Sequence, residues 1–409
     1  MRRTTKDIRH PATLLMLLAM LLAAGCASPL AQLNTAIDAG DTAQAGKVIA
    51  EAQDLDINAQ DAEGETPLVR AVKKNDTAMV ALLLDKGANA NTAGSQAQTP
   101  LQEAIQAGNM ANFNALLAKG ADVNKTGAKG HTPLMSACIA GQLPMVRELL
   151  KRGVSLTDAK AFHATYFAII NKREDVALHL IDAGVEVNYT DGEGESLLHY
   201  AADQGSVPVL KALRKRKMLV DFKSKAGETP LMKASFSGKV EAAEYLLAAG
   251  AKVDEPRNDG QTPLMTAAYT GNMDLLKLYL AKGADANRVK NGNWSVLHIA
   301  AEGGAPEVGA ALVKAGAKTE VLNDGDFTPL FMAVIREKYA FAEMLLKHKA
   351  EPNPMHIGMT PLAFLGSSDN RSPEAGAFAQ RLQEQGGEVK FDKARLEAYQ
   401  KKLDAKKKQ

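Results

Sequence analysis

The sequence predicts an all-α repeat protein, a solenoid of about ten or eleven helix–turn–helix units with projecting β-turns. A tripeptide of Thr, Pro and Leu, or of Ser and two aliphatic residues, returns mostly every 33 residues. A second motif, which reads LLAKGADVN in residues 116–124, returns in the same register. The tripeptides begin at Thr66, Thr99, Thr132, Ser196, Thr229, Thr262, Ser295, Thr328 and Thr360. Two motifs in one register indicate that one small unit is copied along the chain.

The N-terminal 25 residues have the pattern of a secretory signal peptide. Four basic side chains precede an apolar run over residues 12–24, which is too short to span a bilayer. Residues 22–26 read LAAGC and resemble a bacterial lipobox, although Ala23 stands where Leu is usual. The resemblance implies cleavage after residue 25 and a lipid-modified Cys26 at the mature N-terminus. An ordinary signal peptide with a chance cysteine is the alternative.

The composition limits the class of protein to which the chain can belong. Hydrophobic residues make up 46% and charged residues 23%, which excludes a disordered chain, a collagen-like chain and a polytopic membrane protein. Removal of residues 1–25 leaves 45 basic and 46 acidic side chains, so the mature chain is close to neutral. Nucleic acid is therefore not an expected partner.

The predicted solenoid covers residues 33–391. In each copy the Thr can cap a helix, and Pro suits the first helical turn, where no bonded backbone N–H is lost. In the copy that begins at Thr99, apolar residues from Leu101 onward follow helical spacing on one face. A second helix follows, and Gly120 is expected to end it. One unit cannot bury its apolar face alone, so neighbouring units must stack.

Four segments depart from the repeat. Residues 33–60 lack the tripeptide, as expected of an N-terminal cap. The degenerate copy at 163–188 follows a shortened turn, and residues 213–218 lack the glycine that ends the second helix in other copies. The C-terminal cap, residues 360–391, carries an insertion from Gly366 to Pro373 before its second helix.

The tripeptides and the Gly-Ala-Asp turns resemble the ankyrin repeat family over roughly residues 30–391. The resemblance implies a solenoid that contacts protein partners through its turn tips and the inner face of its first helices. It also implies that His199 and His298, which follow the tripeptide motif, hydrogen-bond between neighbouring turns and are not catalytic.

Candidate binding residues lie at the variable positions of this repeat, directly before the tripeptide and at the end of the first helix. Toward the C-terminus these positions hold Phe236, Tyr269, Trp294, Phe327, Ile335 and Arg336. Aromatic side chains and Arg are frequent interface anchors. We therefore predict that these six residues bind a protein partner. The alternative is that their side chains fold back against neighbouring helices.

The sequence contains no motif that is recognisable as catalytic or metal-binding. Cys138 takes the place of a small helix residue and is expected to be buried in the core. Residues 323–326 read NDGD but lack the other ligands of a calcium-binding loop, so an ordinary turn is expected. We expect no enzymatic activity, metal, cofactor or small-molecule substrate.

The C-terminal tail, residues 392–409, is rich in lysine. From residue 390 to the end the chain carries eight basic and three acidic side chains. The tail is either a solvated terminal helix or a segment attracted to anionic lipid or the cell wall.

The predicted function combines the anchor with the repeats. We expect a monomeric protein-binding scaffold, tethered by Cys26 and the short linker 26–32 to the bacterial envelope. The membrane is expected to be the outer one, on its periplasmic side. Neutralising a toxin and assisting an envelope enzyme are both compatible with such a scaffold. The alternative is a structural envelope lipoprotein whose basic tail contacts cell wall or anionic lipid.

Overall fold

A computed structural model describes residues 28–366 and 372–397. Within them the chain forms eleven consecutive helix pairs, which confirms the predicted all-α repeat. The chain divides into two compact units, with the boundary between Glu186 and Val187. None of the described helices combines the length and the hydropathy that a bilayer crossing requires. Cys26, the insertion residues 367–371 and the tail beyond 397 lie outside the described residues.

Unit 1 contains five helix pairs and one 3-10 turn at Ala128–Gly130. The pairs are α1 Pro29–Ala39 with α2 Thr42–Glu51, α3 Pro67–Lys73 with α4 Thr77–Asp85, α5 Pro100–Gln106 with α6 Met110–Ala118, α7 Pro133–Ala140 with α8 Leu143–Lys151, and α9 Ala159–Ile170 with α10 Glu174–Asp182. Each first helix packs against the first helix of the next pair. Their apolar residues are buried between them, which gives one continuous core.

Unit 2 contains six pairs and a short hairpin. The pairs are α11 Leu197–Gln204 with α12 Val207–Lys215, α13 Pro230–Phe236 with α14 Val240–Ala248, α15 Pro263–Thr270 with α16 Met273–Ala281, α17 Val296–Gly303 with α18 Pro306–Lys314, α19 Pro329–Ile335 with α20 Tyr339–Lys347, and α21 Pro361–Gly366 with α22 Pro373–Glu384. Strands β1 Val289–Lys290 and β2 Trp294–Ser295 pair antiparallel in the turn before α17.

The capping residues behave as the tripeptide predicts. The hydroxyl of Thr66 accepts a hydrogen bond from the backbone N–H of Val69, at 3.2 Å, and proline follows directly as the first helical residue. Gly120 has a positive φ of 83°, a conformation that glycine adopts without steric cost. At the position where residues 213–218 lack this glycine, Lys217 takes the left-handed backbone instead, with φ 62°.

The first helix corrects the predicted linker. Helix α1 begins at Pro29, inside the segment 26–32 that was assigned to the linker. The local reason is capping, because the side chain of Ser28 accepts a hydrogen bond from the N–H of Ala31 and Pro29 suits the first helical position. Residues 29–32 therefore belong to the first helix of the repeats and not to a linker.

The degenerate copy has a shortened turn, as predicted, but its first helix is longer than the sequence motif suggested. Helix α9 has twelve residues and begins at Ala159, four residues before His163. Asp158 caps it by accepting a hydrogen bond from the N–H of Ala161, at 2.9 Å. The helix thus uses residues that form the projecting turn in the other copies.

Asparagine side chains join the turns of successive copies. Asn287 donates from Nδ2 to the backbone oxygen of Gly316, at 3.0 Å, and accepts from the N–H of Lys318. Asn91 makes the same two bonds to Gly120 and Asp122. This two-bond contact fixes one turn against the next and aligns the surface that the turns present.

Candidate protein-binding surface

Two exposed aromatic side chains stand at the same position of successive repeats. Phe236 is the last residue of α13 and is 41% exposed. Tyr269 lies in the last turn of α15 and is 53% exposed. Helices α13 and α15 pack against each other, so the two rings project from one face of unit 2. Large exposed aromatic groups in a row are typical of protein-binding surfaces.

The end of α19 contributes a charged and an aliphatic residue at the corresponding position. Ile335 is half-buried, whereas Arg336 is exposed. The guanidinium of Arg336 lies 2.8 Å from a carboxylate oxygen of Glu302 on α17, the preceding first helix. Arg336 is exposed and Glu302 is half-buried, so the guanidinium can exchange this partner for another at a modest free-energy cost.

Trp294 and Phe327 are half-buried, and their contacts support the alternative in which side chains pack against neighbours. The Trp294 ring meets the ring of His298 edge-on, with the centroids 5.9 Å apart, and Lys290 Nζ lies 5.7 Å from its centroid. Phe327 stacks on His356, with the centroids 3.5 Å apart. Only part of each ring is therefore accessible to a partner, whereas Phe236 and Tyr269 expose a larger fraction of their side chains.

Charged side chains lie in the repeats nearer the start of unit 2, and they form ion pairs with one another. Lys233 forms ion pairs with Glu195 and Glu228. Burial opposes the charge of Lys233, but the hydrogen bonds to the two carboxylates raise its pKa. Arg257 likewise holds the pKa of Asp259 at about 2 by a hydrogen bond of 2.7 Å. Ion-paired side chains are thus found toward the start of unit 2, and exposed or half-buried aromatic side chains become more frequent toward its C-terminal repeats.

Two further apolar residues are exposed in the turns of unit 2 and were missed in the sequence. Val289 and Leu322 are 41% and 48% exposed and lie one repeat apart, six residues before their tripeptides. The signal was present as their 33-residue spacing. The expected contact positions, directly before each tripeptide and at the end of the first helix, do not include these turn residues.

The two histidines that follow the tripeptide motif form hydrogen bonds between turns, as expected. In His199 the backbone N–H of Ser196 donates to Nδ1, so Nε2 carries the proton and bonds the oxygen of Glu228 at 3.0 Å. His298 bonds Ser295 and the oxygen of Phe327 in the same way. Burial lowers the pKa of both rings. Each is a neutral structural bridge to the following turn.

The inner positions of unit 1 form a polar surface. A cleft of about 470 Å³ is lined by four glutamines together with His131 and Lys129. The Gln102 amide takes the bridging role of the histidines, because its Nε2 donates to the oxygen of His131 at 2.8 Å. In the preceding repeat, Lys73 Nζ lies 2.6 Å from a carboxylate oxygen of Glu65.

Residues with possible catalytic or metal chemistry have structural roles. Cys138 is fully buried, and burial raises the pKa of its thiol. The side-chain oxygen of Asn323 accepts from the N–H groups of Gly325 and Phe327, which makes residues 323–326 an ordinary turn. In the described part of the chain, no group of three His, Cys, Asp or Glu side chains could hold a metal ion.

Comparison with known families identifies the repeat. A family model described as ankyrin repeats (3 copies) matches in four overlapping stretches, over residues 33–127, 113–191, 166–257 and 250–323. A comparison with curated proteins gives no match. The family model covers well over half of the chain. The chain belongs to the ankyrin repeat family.

Proposed function

We propose that this protein is a membrane-tethered scaffold in the bacterial periplasm that binds a protein partner through the unit 2 surface of Phe236, Tyr269, Trp294, Phe327, Ile335 and Arg336. Ankyrin repeats imply protein partners. The observation that carries the choice of surface is the exposure of Phe236 and Tyr269 on packed, successive helices. A partner that covered both rings would remove apolar area from water, the main favourable contribution to protein association.

The tether rests on Cys26 within the lipobox-like residues 22–26. Attachment of several acyl chains at this cysteine gives stable anchoring, whereas a single chain binds a membrane only marginally. Because helix α1 begins at Pro29, the repeats follow the lipid almost directly. Residues 27 and 28 carry no acidic side chain, which fits residence in the outer membrane.

Two experiments test these proposals separately. Mass spectrometry of the mature N-terminus should find an acylated Cys26, and Cys26→Ser should release the protein from membranes. Affinity capture from the periplasm should recover one specific protein, and Phe236→Ala with Tyr269→Ala should reduce that recovery at least tenfold. An unmodified residue 26 would refute the tether, and undiminished recovery would refute the surface.

A matched control separates loss of binding from general loss of apolar surface. Leu219 and Tyr189 are also exposed large side chains of unit 2, but they lie on turns outside the six-residue surface. Changing both to alanine should leave recovery of the partner unchanged. The identity of the recovered protein then distinguishes an exported toxin from an envelope enzyme.

A further inference from the structure

A cleft of about 470 Å³ lies in unit 1 between two neighbouring repeats, whose first helices α5 and α7 pack against each other. Its volume is within the range of sites that bind small ligands, roughly 300–1,000 Å³. Its described lining residues include no acidic side chain. We call it the glutamine cleft, because one repeat contributes Gln96, Gln98, Gln102 and Gln106, while the turn of the next repeat contributes Lys129 and His131.

The backbone around the glutamine cleft is fixed by the fold. The Gln102 side chain joins the two repeats, since its Oε1 accepts from the N–H of Thr99 at 3.1 Å and its Nε2 donates to the oxygen of His131 at 2.8 Å. A backbone bond closes each turn, from the Gly94 N–H to the oxygen of Gln98 at 3.0 Å and from the Gly127 N–H to the oxygen of His131 at 2.9 Å. A ligand therefore meets an ordered site, which lowers the entropic cost of binding.

The other three glutamines have amides that the fold does not use. The side chains of Gln96 and Gln106 are exposed and form no hydrogen bond with another described residue. The Oε1 of Gln98 is buried and also lacks a partner. Gln261, at the same repeat position in unit 2, donates instead to Thr266 Oγ1 at 3.1 Å. A buried amide oxygen without a partner requires an explanation in a folded protein, and a donor brought by a ligand supplies one.

The glutamine cleft carries one positive charge. Burial, together with the charge of Lys129, lowers the pKa of His131, so the imidazole is neutral near pH 7. Lys129 is exposed and forms no ion pair with a described carboxylate. In an earlier repeat, by contrast, Lys73 lies within ion-pair distance of both Glu65 and Glu103. An acidic group of a ligand can therefore pair with Lys129 without displacing a carboxylate of the protein.

We propose that the glutamine cleft binds a short extended polypeptide segment that carries an acidic side chain. A primary amide offers N–H donors and a carbonyl acceptor, and each peptide group of an extended segment offers the same two kinds of group. The three free amides can bond to successive peptide groups, while Lys129 pairs with the acidic side chain. A phosphate is a poor match for this cleft, because it is bound by clusters of basic donors and meets amide oxygens here.

The test is selection from a random heptapeptide library displayed on phage. The target is the chain from residue 26 onward with Cys26→Ser, which keeps every described residue. Enriched peptides should share an aspartate or a glutamate, and the affinity of the synthetic peptides is then measured by fluorescence anisotropy. Gln96→Ala with Gln106→Ala should weaken this binding at least fivefold, because hydrogen bonds to the peptide are lost.

A second variant tests the charge. Lys129→Asn should weaken binding at least threefold and remove most of its dependence on salt between about 50 and 500 mM. Asparagine is chosen because it tolerates the left-handed backbone of residue 129, where φ is 57°. All three altered residues are exposed, so circular dichroism and the midpoint of urea unfolding should match those of the parent protein.

The matched control is Gln44→Ala with Gln53→Ala, which alters two exposed glutamines elsewhere in unit 1 and should leave peptide binding unchanged. Phe236→Ala with Tyr269→Ala should also leave it unchanged, because the site is independent of the surface proposed in unit 2. Peptide binding that is lost in this last variant would overturn the present proposal while supporting the unit 2 surface.

Three further results would overturn the proposal. One is the absence of any enriched peptide, and another is a set of enriched peptides without an acidic residue. The third is equal affinity of the peptides for the parent and for Gln96→Ala with Gln106→Ala. Binding of N-acetylglucosamine oligomers without enrichment of a peptide would overturn it in favour of a glycan.

Discussion

Replacing Asn112 with leucine should stabilise unit 1. Asn112 is fully buried near the start of α6, and neither polar atom of its side-chain amide has a hydrogen-bond partner among the described residues. The corresponding residue is apolar and buried in nine other copies, namely Met79, Met145, Val176, Val209, Ala242, Leu275, Val308, Phe341 and Ala375. Asn112 is therefore a polar exception within an apolar stack.

The size of the effect follows from the burial. An amide buried without partners costs about 1–3 kcal/mol in proteins. Leucine has the same number of side-chain heavy atoms and the same branching, so it replaces the two polar atoms with methyl groups. Its larger methyl groups offset part of the gain by overpacking. We expect a net stabilisation of about 2 kcal/mol, which would raise the melting temperature of unit 1 by about 4–8 °C.

The assay is thermal and urea unfolding followed by circular dichroism. Asn114→Leu is the matched control, because residue 114 lies on the same helix but is exposed. This control variant changes the helix propensity in the same way, and it should alter the free energy of unfolding by less than about 0.5 kcal/mol. If Asn112→Leu destabilised the protein by more than about 1 kcal/mol, the amide must bond a buried water, and the reasoning would be refuted.

Three further predictions concern backbone strain, pH and the turn contacts. Lys217→Gly should stabilise unit 2 by about 1 kcal/mol in urea unfolding, because Lys217 has a left-handed backbone. The control Lys215→Gly should destabilise unit 2 instead, because residue 215 belongs to helix α12, where glycine is unfavourable. Burial lowers the pKa of His356 to about 4, against about 6.5 in the unfolded chain. Below pH 6.5 the unfolded chain binds the proton first, so stability should fall by up to about 3 kcal/mol between pH 6.5 and 4. His356→Phe should remove that part of the slope in acid unfolding, and an unchanged slope would contradict it. Asn287→Ala should cost about 1–3 kcal/mol, measured by urea unfolding, since it removes both bonds between turns; an unchanged midpoint would show that these bonds do not fix the turns.

Local signals made most of the helices predictable. Thr followed by Pro marks a capped helix start by chemistry that acts within four residues, and the structure begins helices at Pro67 and Pro230 accordingly. The early start of α9 has a local cause too, the cap at Asp158. The tripeptide does not indicate this start, because that copy lacks the tripeptide.

The details of the surface were less predictable, because they depend on neighbouring repeats. Sequence position identified Trp294 and Phe327 as variable sites. It could not show that Trp294 packs on His298 within a hairpin, or that Phe327 stacks on a histidine 29 residues away. The bonds of Asn287 to the next turn likewise join residues that only stacking brings together. Exposure of Phe236 and Tyr269 depends on no such contact, and their position at the end of the first helix already indicated side chains on the surface.

Site-specific photo-crosslinking tests the central claim, protein binding by the unit 2 surface, most directly. A photoreactive phenylalanine analogue is placed in living cells at Phe236, at Tyr269 and, as a control, at Glu244, an exposed residue of α14. The proposal predicts that the first two positions crosslink to the same protein and that position 244 gives no adduct with it. Absence of an adduct at both aromatic positions, or an equal adduct at all three, would contradict it.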